Sequence, residues 1–150
     1  MVRNILSLVF ITFSLSISSK TVIHAGNLFD SENGIVQPQM SIFIEEDIIA
    51  DVVEGYVNPE PDDTYIDLTG YFILPGLIDM HVHLTNQSSS RAYLERTTLN
   101  AADYAIRATM NAKKTLLAGF TTVRNLGGSD TVTISLRNAI NSGVTSGPRI

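Results

Sequence analysis

The chain has 150 residues, of which 44% are hydrophobic and 17% charged, a balance typical of globular rather than disordered proteins. Its formal net charge is −5 and it has no run of Lys or Arg, which argues against a nucleic-acid partner or an anionic membrane surface. Cysteine is absent, so disulfides and thiolate metal sites are excluded, and any metal chemistry falls to His, Asp, Glu and Lys.

The N-terminal stretch MVRNILSLVFITFSLSISSK starts with Arg3, continues as an apolar run from Ile5 to Ile17, and ends on the small residues Ser16, Ser18 and Ser19. That run is shorter than the roughly 20 apolar residues that span a bilayer, and small residues follow it as a signal peptidase requires. Residues 1–19 are therefore expected to be a signal peptide cleaved after Ser18 or Ser19. Such a peptide predicts a secreted or periplasmic protein with no membrane span after cleavage. A buried N-terminal strand or a short anchor is the alternative.

Short strands and turns follow. Val22 and Ile23 begin a strand that Ala25-Gly26-Asn27 is expected to end, and Ser31–Gly34 reads as a turn. In QMSIFIEEDIIADVVEG, Met40, Ile42 and Ile44 alternate with Ser41 and Phe43. EEDI supplies a tight hairpin turn there. VNPEPDDTY is a proline-rich acidic loop, and two further strands are expected on either side of Thr69-Gly70. Up to about Gly70 the pattern predicts a small antiparallel sheet domain.

From Leu94 the period lengthens to that of a helix. Leu94, Ala101, Ala102, Ala105, Ile106, Thr109, Met110, Ala112, Leu116 and Leu117 predict one amphipathic helix, stopped at Gly119. FTTVRNLGG reads as a strand. SDTVTISLRNAINSG reads as a second helix with Ile134, Leu136 and Ile140 on its apolar side, and GPRI as the start of another strand. The alternation strand, helix, strand, helix, strand predicts a parallel α/β sheet.

The residues with chemical potential lie in FILPGLIDMHVHL, Phe72 to Leu84. In a regular strand residues i and i+2 point the same way, so Asp79, His81 and His83 are expected on one face, opposite Met80, Val82 and Leu84. Two imidazoles at this spacing converge on one metal ion, and Asp79 stands where it would orient a ligand or a neighbouring backbone group. The histidines also end their strand, where functional groups collect in parallel α/β barrels. His81 and His83 therefore read as a metal half-site. His24 reads as structural, Asp62, Asp63 and Asp103 as solvated, and Ser88–Ser90 as a flexible loop. Arg124 either faces the site or braces the strand end.

LPGLIDMHVHL resembles the signature of the metal-dependent amidohydrolase superfamily, in which Pro-Gly-x-Ile-Asp-x-His-x-His ends the first barrel strand. IHAGNLFD and IFIEEDIIADV resemble the start of that group's β-sandwich domain, and LLAGFTTVRNLGG the second-strand motif of its imidazolonepropionase-like and prolidase-like branch. The resemblance implies a (β/α)8 TIM-type barrel, with only the first two to three strands present, and an N-terminal β-sandwich portion. The corresponding division is 20–74 for the sandwich part and 75–150 for the first part of the barrel.

It also implies one or two divalent metal ions, usually Zn2+, and hydrolysis of a carbon–nitrogen bond by metal-activated water. The substrate would be a small molecule, either a cyclic or other amide or a dipeptide such as Xaa-Pro. His81 and His83 match the two first-strand ligands. The family's other ligands, a lysine or glutamate, two histidines and an aspartate, lie on later strands. Gly76 onward offers far fewer than the roughly 250 residues of a complete barrel. The chain is accordingly expected to be the N-terminal fragment of a longer frame, inactive by itself. Where many relatives have aspartate after TTVR, this chain has Asn125. A non-catalytic binding module, and a deaminase or ester hydrolase of the same superfamily, stay open as alternatives, and a homo-oligomer is compatible with either.

Overall fold

The structure is a computed structural model that describes residues 19–128 and 131–150. The expected signal peptide falls almost entirely outside the described residues. The chain is a mixed α/β protein that divides into two compact units between Ile73 and Leu74.

The first unit is one four-stranded sheet in the order β3-β2-β1-β4. Its strands are β1 (Thr21–Asp30), β2 (Ile35–Glu45), β3 (Ile48–Glu54) and β4 (Thr64–Ile73). β1–β2 and β2–β3 are antiparallel neighbours joined by short turns at 31–34 and 46–47, while β4 returns to pair with β1 in parallel. The sheet is therefore mixed rather than antiparallel throughout. One face is apolar, with Ala25, Met40 and Ile42 buried and Ile23, Leu28, Ile44 and Ile73 packed around them.

The expected turn at Ala25-Gly26-Asn27 is continuous strand. There β4 spends four residue steps, Leu68 to Phe72, against two steps of β1, Ala25 to Asn27. This irregularity brings the Thr69 and Tyr71 carbonyls onto Gly26, where a Cβ would collide with the Thr69 oxygen. Gly26 thus serves a close backbone approach, and Thr69-Gly70 is part of a bulge rather than a break between strands.

The second unit contains β5 (Leu77–Val82), α1 (Ala92–Thr98), α2 (Ala101–Leu117), β6 (Phe120–Asn125) and α3 (Val132–Asn141). β5 and β6 pair in parallel, and Arg149 bridges Thr122 as the next strand begins. Leu84, Ala108, Ala112, Val123, Val132 and Leu136 form its core. Ala108 and Ala112 of α2 are fully buried, and their small side chains let the helix lie close to the sheet.

The single helix expected from Leu94 to Gly119 is in fact two. Asn100 caps α2: its side chain accepts from the Ala102 and Asp103 amides, and the Asp103 carboxylate accepts from the Asn100 amide. This capping box satisfies donors that a continuous helix would have paired internally, so it separates α1 from α2. Gly119, with φ 95°, ends α2 as expected. The buried stripe, however, is centred on Ala108, Asn111 and Ala112, and Ile106 is 71% exposed. No helix among the described residues is long and apolar enough to cross a membrane.

Candidate metal half-site

β5 opens after Pro75-Gly76 and ends at Val82, with His81 inside the strand and His83 one residue beyond it. Both histidines are exposed, and their rings lie edge to face with centroids 5.3 Å apart. Two imidazoles bonded to one tetrahedral zinc at about 2.0–2.1 Å would have centroids roughly 5 Å apart, which is the spacing of this pair. Among the described residues no group of three His, Asp or Glu side chains could hold a metal.

Asp79 departs from the regular alternation expected of it. From Asp79 to Val82 β5 advances three residues, whereas its partner β6 advances two, Val123 to Asn125. An extra residue in β5 breaks the two-residue period between Asp79 and the histidines. Asp79 is half-buried and lines a cleft against α2 together with Val82, Asn111 and Lys114, while Met80 lines a different one beside Thr122 and Arg124. The Asp79 carboxylate accepts the backbone N–H of His81 at 2.9 Å. It therefore grips the main chain of a histidine.

Side chains supply much of the main-chain hydrogen bonding that the irregular register forgoes. Arg124 Nε donates to the Met80 carbonyl at 2.9 Å, a contact that braces the strand end. The Leu126 amide donates to the Val82 carbonyl. Leu84 is held on both polar groups: its N–H donates to Asn125 Oδ1 at 2.8 Å, and its carbonyl accepts from Asn111 Nδ2 at 2.7 Å. Asn125 Nδ2 in turn donates to the Gly127 carbonyl and to Thr133 Oγ1. Asn111 was not anticipated from the sequence. The available signal was a lone amide between Ala108 and Ala112 on the buried face of a helix.

Beside His83 a cleft of about 520 Å³ opens, lined by Thr85, Asn86, Gln87 and Ser88, by Glu95 and Arg96 of α1, and by Tyr104, Arg107 and Asn111 of α2. Arg107 pairs with Glu95 at 3.1 Å. The buried Thr85 hydroxyl finds no hydrogen-bond partner among the described residues. His24 lies in the other unit with both ring nitrogens engaged, Nε2 with the Val57 carbonyl at 2.9 Å and Nδ1 with the Tyr65 hydroxyl at 3.1 Å.

A crystal structure of a Xaa-Pro dipeptidase with methionine bound in its active site matches with a TM-score of 0.80 and 46% identity, over 88% of this chain and 32% of that one. A prolidase complexed with N-methylphosphonate-L-proline matches with a TM-score of 0.74 and 33% identity, over 88% of this chain and 31% of that one. A dihydroorotase of Desulforapulum autotrophicum is 31% identical over 70 residues, 46% of this chain and 16% of that protein. The chain thus spans under a third of the length of each. The model of the amidohydrolase family matches residues 72–150, a stretch that includes both histidines and every residue bracing them. With more than half of its length matched in this way, the chain belongs to the amidohydrolase family.

Proposed function

We propose that the protein is a metal-dependent hydrolase of carbon–nitrogen bonds, to which this chain contributes the first two metal ligands. The observation that carries the reading is the His81–His83 ring pair at 5.3 Å on the end of a parallel strand. His81 and His83 would hold a zinc ion, alone or as one of two metals. When bound, a divalent metal supplies Lewis acidity that activates water and polarises a carbonyl. Asp79 holds the His81 amide, and Arg124, Asn111 and Asn125 hold the main chain around both rings.

The finer architecture is proposed on the same ground: β5, β6 and the strand starting at Arg149 would open a (β/α)8 barrel, and the four-stranded sheet would belong to a β-sandwich. Small molecules are the proposed substrates, a dipeptide of the Xaa-Pro type before a cyclic amide, because the 46% identical neighbour is a Xaa-Pro dipeptidase. Residues 1–19 are proposed as a signal peptide of a secreted or periplasmic protein. A mature N-terminus at Ser19 or Lys20, read by mass spectrometry, is the expected result, and an intact Met1 on the exported protein would refute it.

The function is tested by expressing the full reading frame that encodes this chain, measuring bound zinc, and assaying Xaa-Pro dipeptides, cyclic amides, esters and aminated heterocycles side by side. Zinc-dependent cleavage of an amide bond is expected. Deaminase or esterase turnover alone would replace the reading with another chemistry, and a protein that retains no metal would end it.

A further inference from the structure

The two asparagines around Leu84 deserve a role of their own, because together they satisfy the polar main-chain groups of the one residue that follows His83. The Leu84 N–H belongs to the peptide that leaves His83, and it donates to Asn125 Oδ1 at 2.8 Å. On the far side, Asn111 Nδ2 reaches the Leu84 carbonyl at 2.7 Å from a position only 6% exposed. The Leu84 side chain is itself buried in the core between α2 and β6. Leu84 is thus held at its amide by β6, at its carbonyl by α2, and at its side chain by the core. These contacts stand immediately after the β5 irregularity that takes Met80 and His81 out of regular pairing.

The chemistry at position 125 is specific to an amide. The Leu84 N–H requires an acceptor, whereas the Gly127 carbonyl, which also meets the Asn125 side chain, requires a donor. A carboxylate offers acceptors only, and a hydroxyl is too short to reach both; the carboxamide serves the two at once. The side chain thereby ties the end of β5 to the loop that leads into α3, where Thr133 is its third partner.

We propose that Asn111 and Asn125 are positioning residues for the metal half-site: by clamping Leu84 from both sides they fix the direction in which His83 meets His81. The inference rests on the reading of His81 and His83 as ligands. Outer partners that orient a metal ligand are worth about 10–100-fold in metal affinity.

The test uses the protein from the full reading frame, stripped of metal and titrated with Co2+ alone, with affinity and the visible ligand-field spectrum as readouts and circular dichroism as the check on folding. Asn125→Leu should weaken Co2+ binding about 10–100-fold and shift the bands. Asn125→Asp, which keeps an acceptor for the Leu84 amide but loses the donor to the Gly127 carbonyl, should recover part of the affinity that Asn125→Leu loses. If Asn125→Leu does not fold, Asn111→Leu removes the other half of the clamp, and the same weakening is expected of it. A folded Asn125→Leu or Asn111→Leu protein with wild-type affinity and spectrum would overturn the proposal, as would an Asn125→Asp protein no better than Asn125→Leu. His81→Ala and His83→Ala are run alongside. If they too bind Co2+ normally, the ligand reading itself is wrong; if they lose it while the asparagine variants keep it, only the clamp is.

Discussion

His24 and the pair His81–His83 are the same kind of side chain in opposite circumstances. His24 is 7% exposed, stacked on Tyr56 with centroids 4.8 Å apart and edge-on to Tyr65. Its Nε2 faces the Val57 carbonyl, which only accepts, so Nε2 carries the proton and Nδ1 accepts from the Tyr65 hydroxyl. Burial raises the Tyr65 phenol above its ordinary range, with Asp67 and Tyr56 adding to it, so the hydroxyl stays able to donate. Nothing is left on that ring for a metal. His81 and His83 are exposed and turned toward each other, and it is their main chain, not their rings, that the neighbouring side chains hold. The difference teaches that a histidine's role is read from what its nitrogens still have to offer, together with how firmly its backbone is held.

The sharpest way to break this comparison is to exchange the consequences. His81→Ala or His83→Ala in the full reading frame should lower metal affinity by more than the roughly 100-fold that an outer partner commands, and hydrolysis should fall with it. Both side chains are exposed in this chain, so its own metal-free form should melt within about 0.5 kcal/mol of wild type. His24→Phe should do the reverse. It leaves the Val57 carbonyl without its donor and Tyr65 without its acceptor, a loss of about 1–3 kcal/mol of stability, with zinc content unchanged. Zinc loss in His24→Phe, or a stoichiometric metal in His81→Ala, would dissolve the distinction.

Much of the candidate half-site was legible in the sequence because the apolar run before His81, the Pro-Gly at its start and the i, i+2 histidines are local features. Asp79 was misdirected because strict alternation assumes a strand without insertions, and the irregularity between Asp79 and Val82 shows itself only in the register with β6. The same limit explains Gly26 and Thr69-Gly70, which look like turn signals until β4 lies beside β1. The parallel β1–β4 pairing joins residues some forty positions apart, which no local periodicity encodes. In α2 the apolar residues outnumber those the core takes, so Ile106 and Met110 counted toward a stripe that the alanines occupy. Asn100 and Asp103 were hidden inside a continuous helical pattern because their side chains compete with the helix for its own amides.

That last pair sharpens the comparison at a smaller scale, since it too consists of polar groups committed to structure. Asn100→Ala removes the acceptor for the Ala102 and Asp103 amides and should cost about 1 kcal/mol. Thermal denaturation of the folded protein measures it, and Co2+ affinity should stay at the wild-type value. A drop in affinity would mean that α2 transmits strain to the half-site through Asn111.

The smallest effect concerns acid, and it falls on the His24 side of the comparison. Asp67, paired across the sheet with His24, accepts from the Thr69 amide, and this bond, aided by the Thr69 side chain and by His24, holds its carboxyl below the ordinary 3.8. Asp30 is lowered likewise, first by the Asn33 side chain and then by the Asn33 and Glu32 amides. A carboxyl whose folded value is depressed contributes its full stability above the unfolded value. It loses that contribution as pH falls through 3.8 toward the folded value, because the unfolded chain takes up the proton first. The four-stranded sheet should therefore weaken between about pH 5 and pH 3. Asp67→Asn should flatten that acid limb in urea denaturation followed across this range, with wild type and variant converging at the lowest pH. A limb of unchanged slope in the variant would show that the Asp67–Thr69 bond forms equally in the unfolded chain, and that the acid sensitivity of the His24 region has another source.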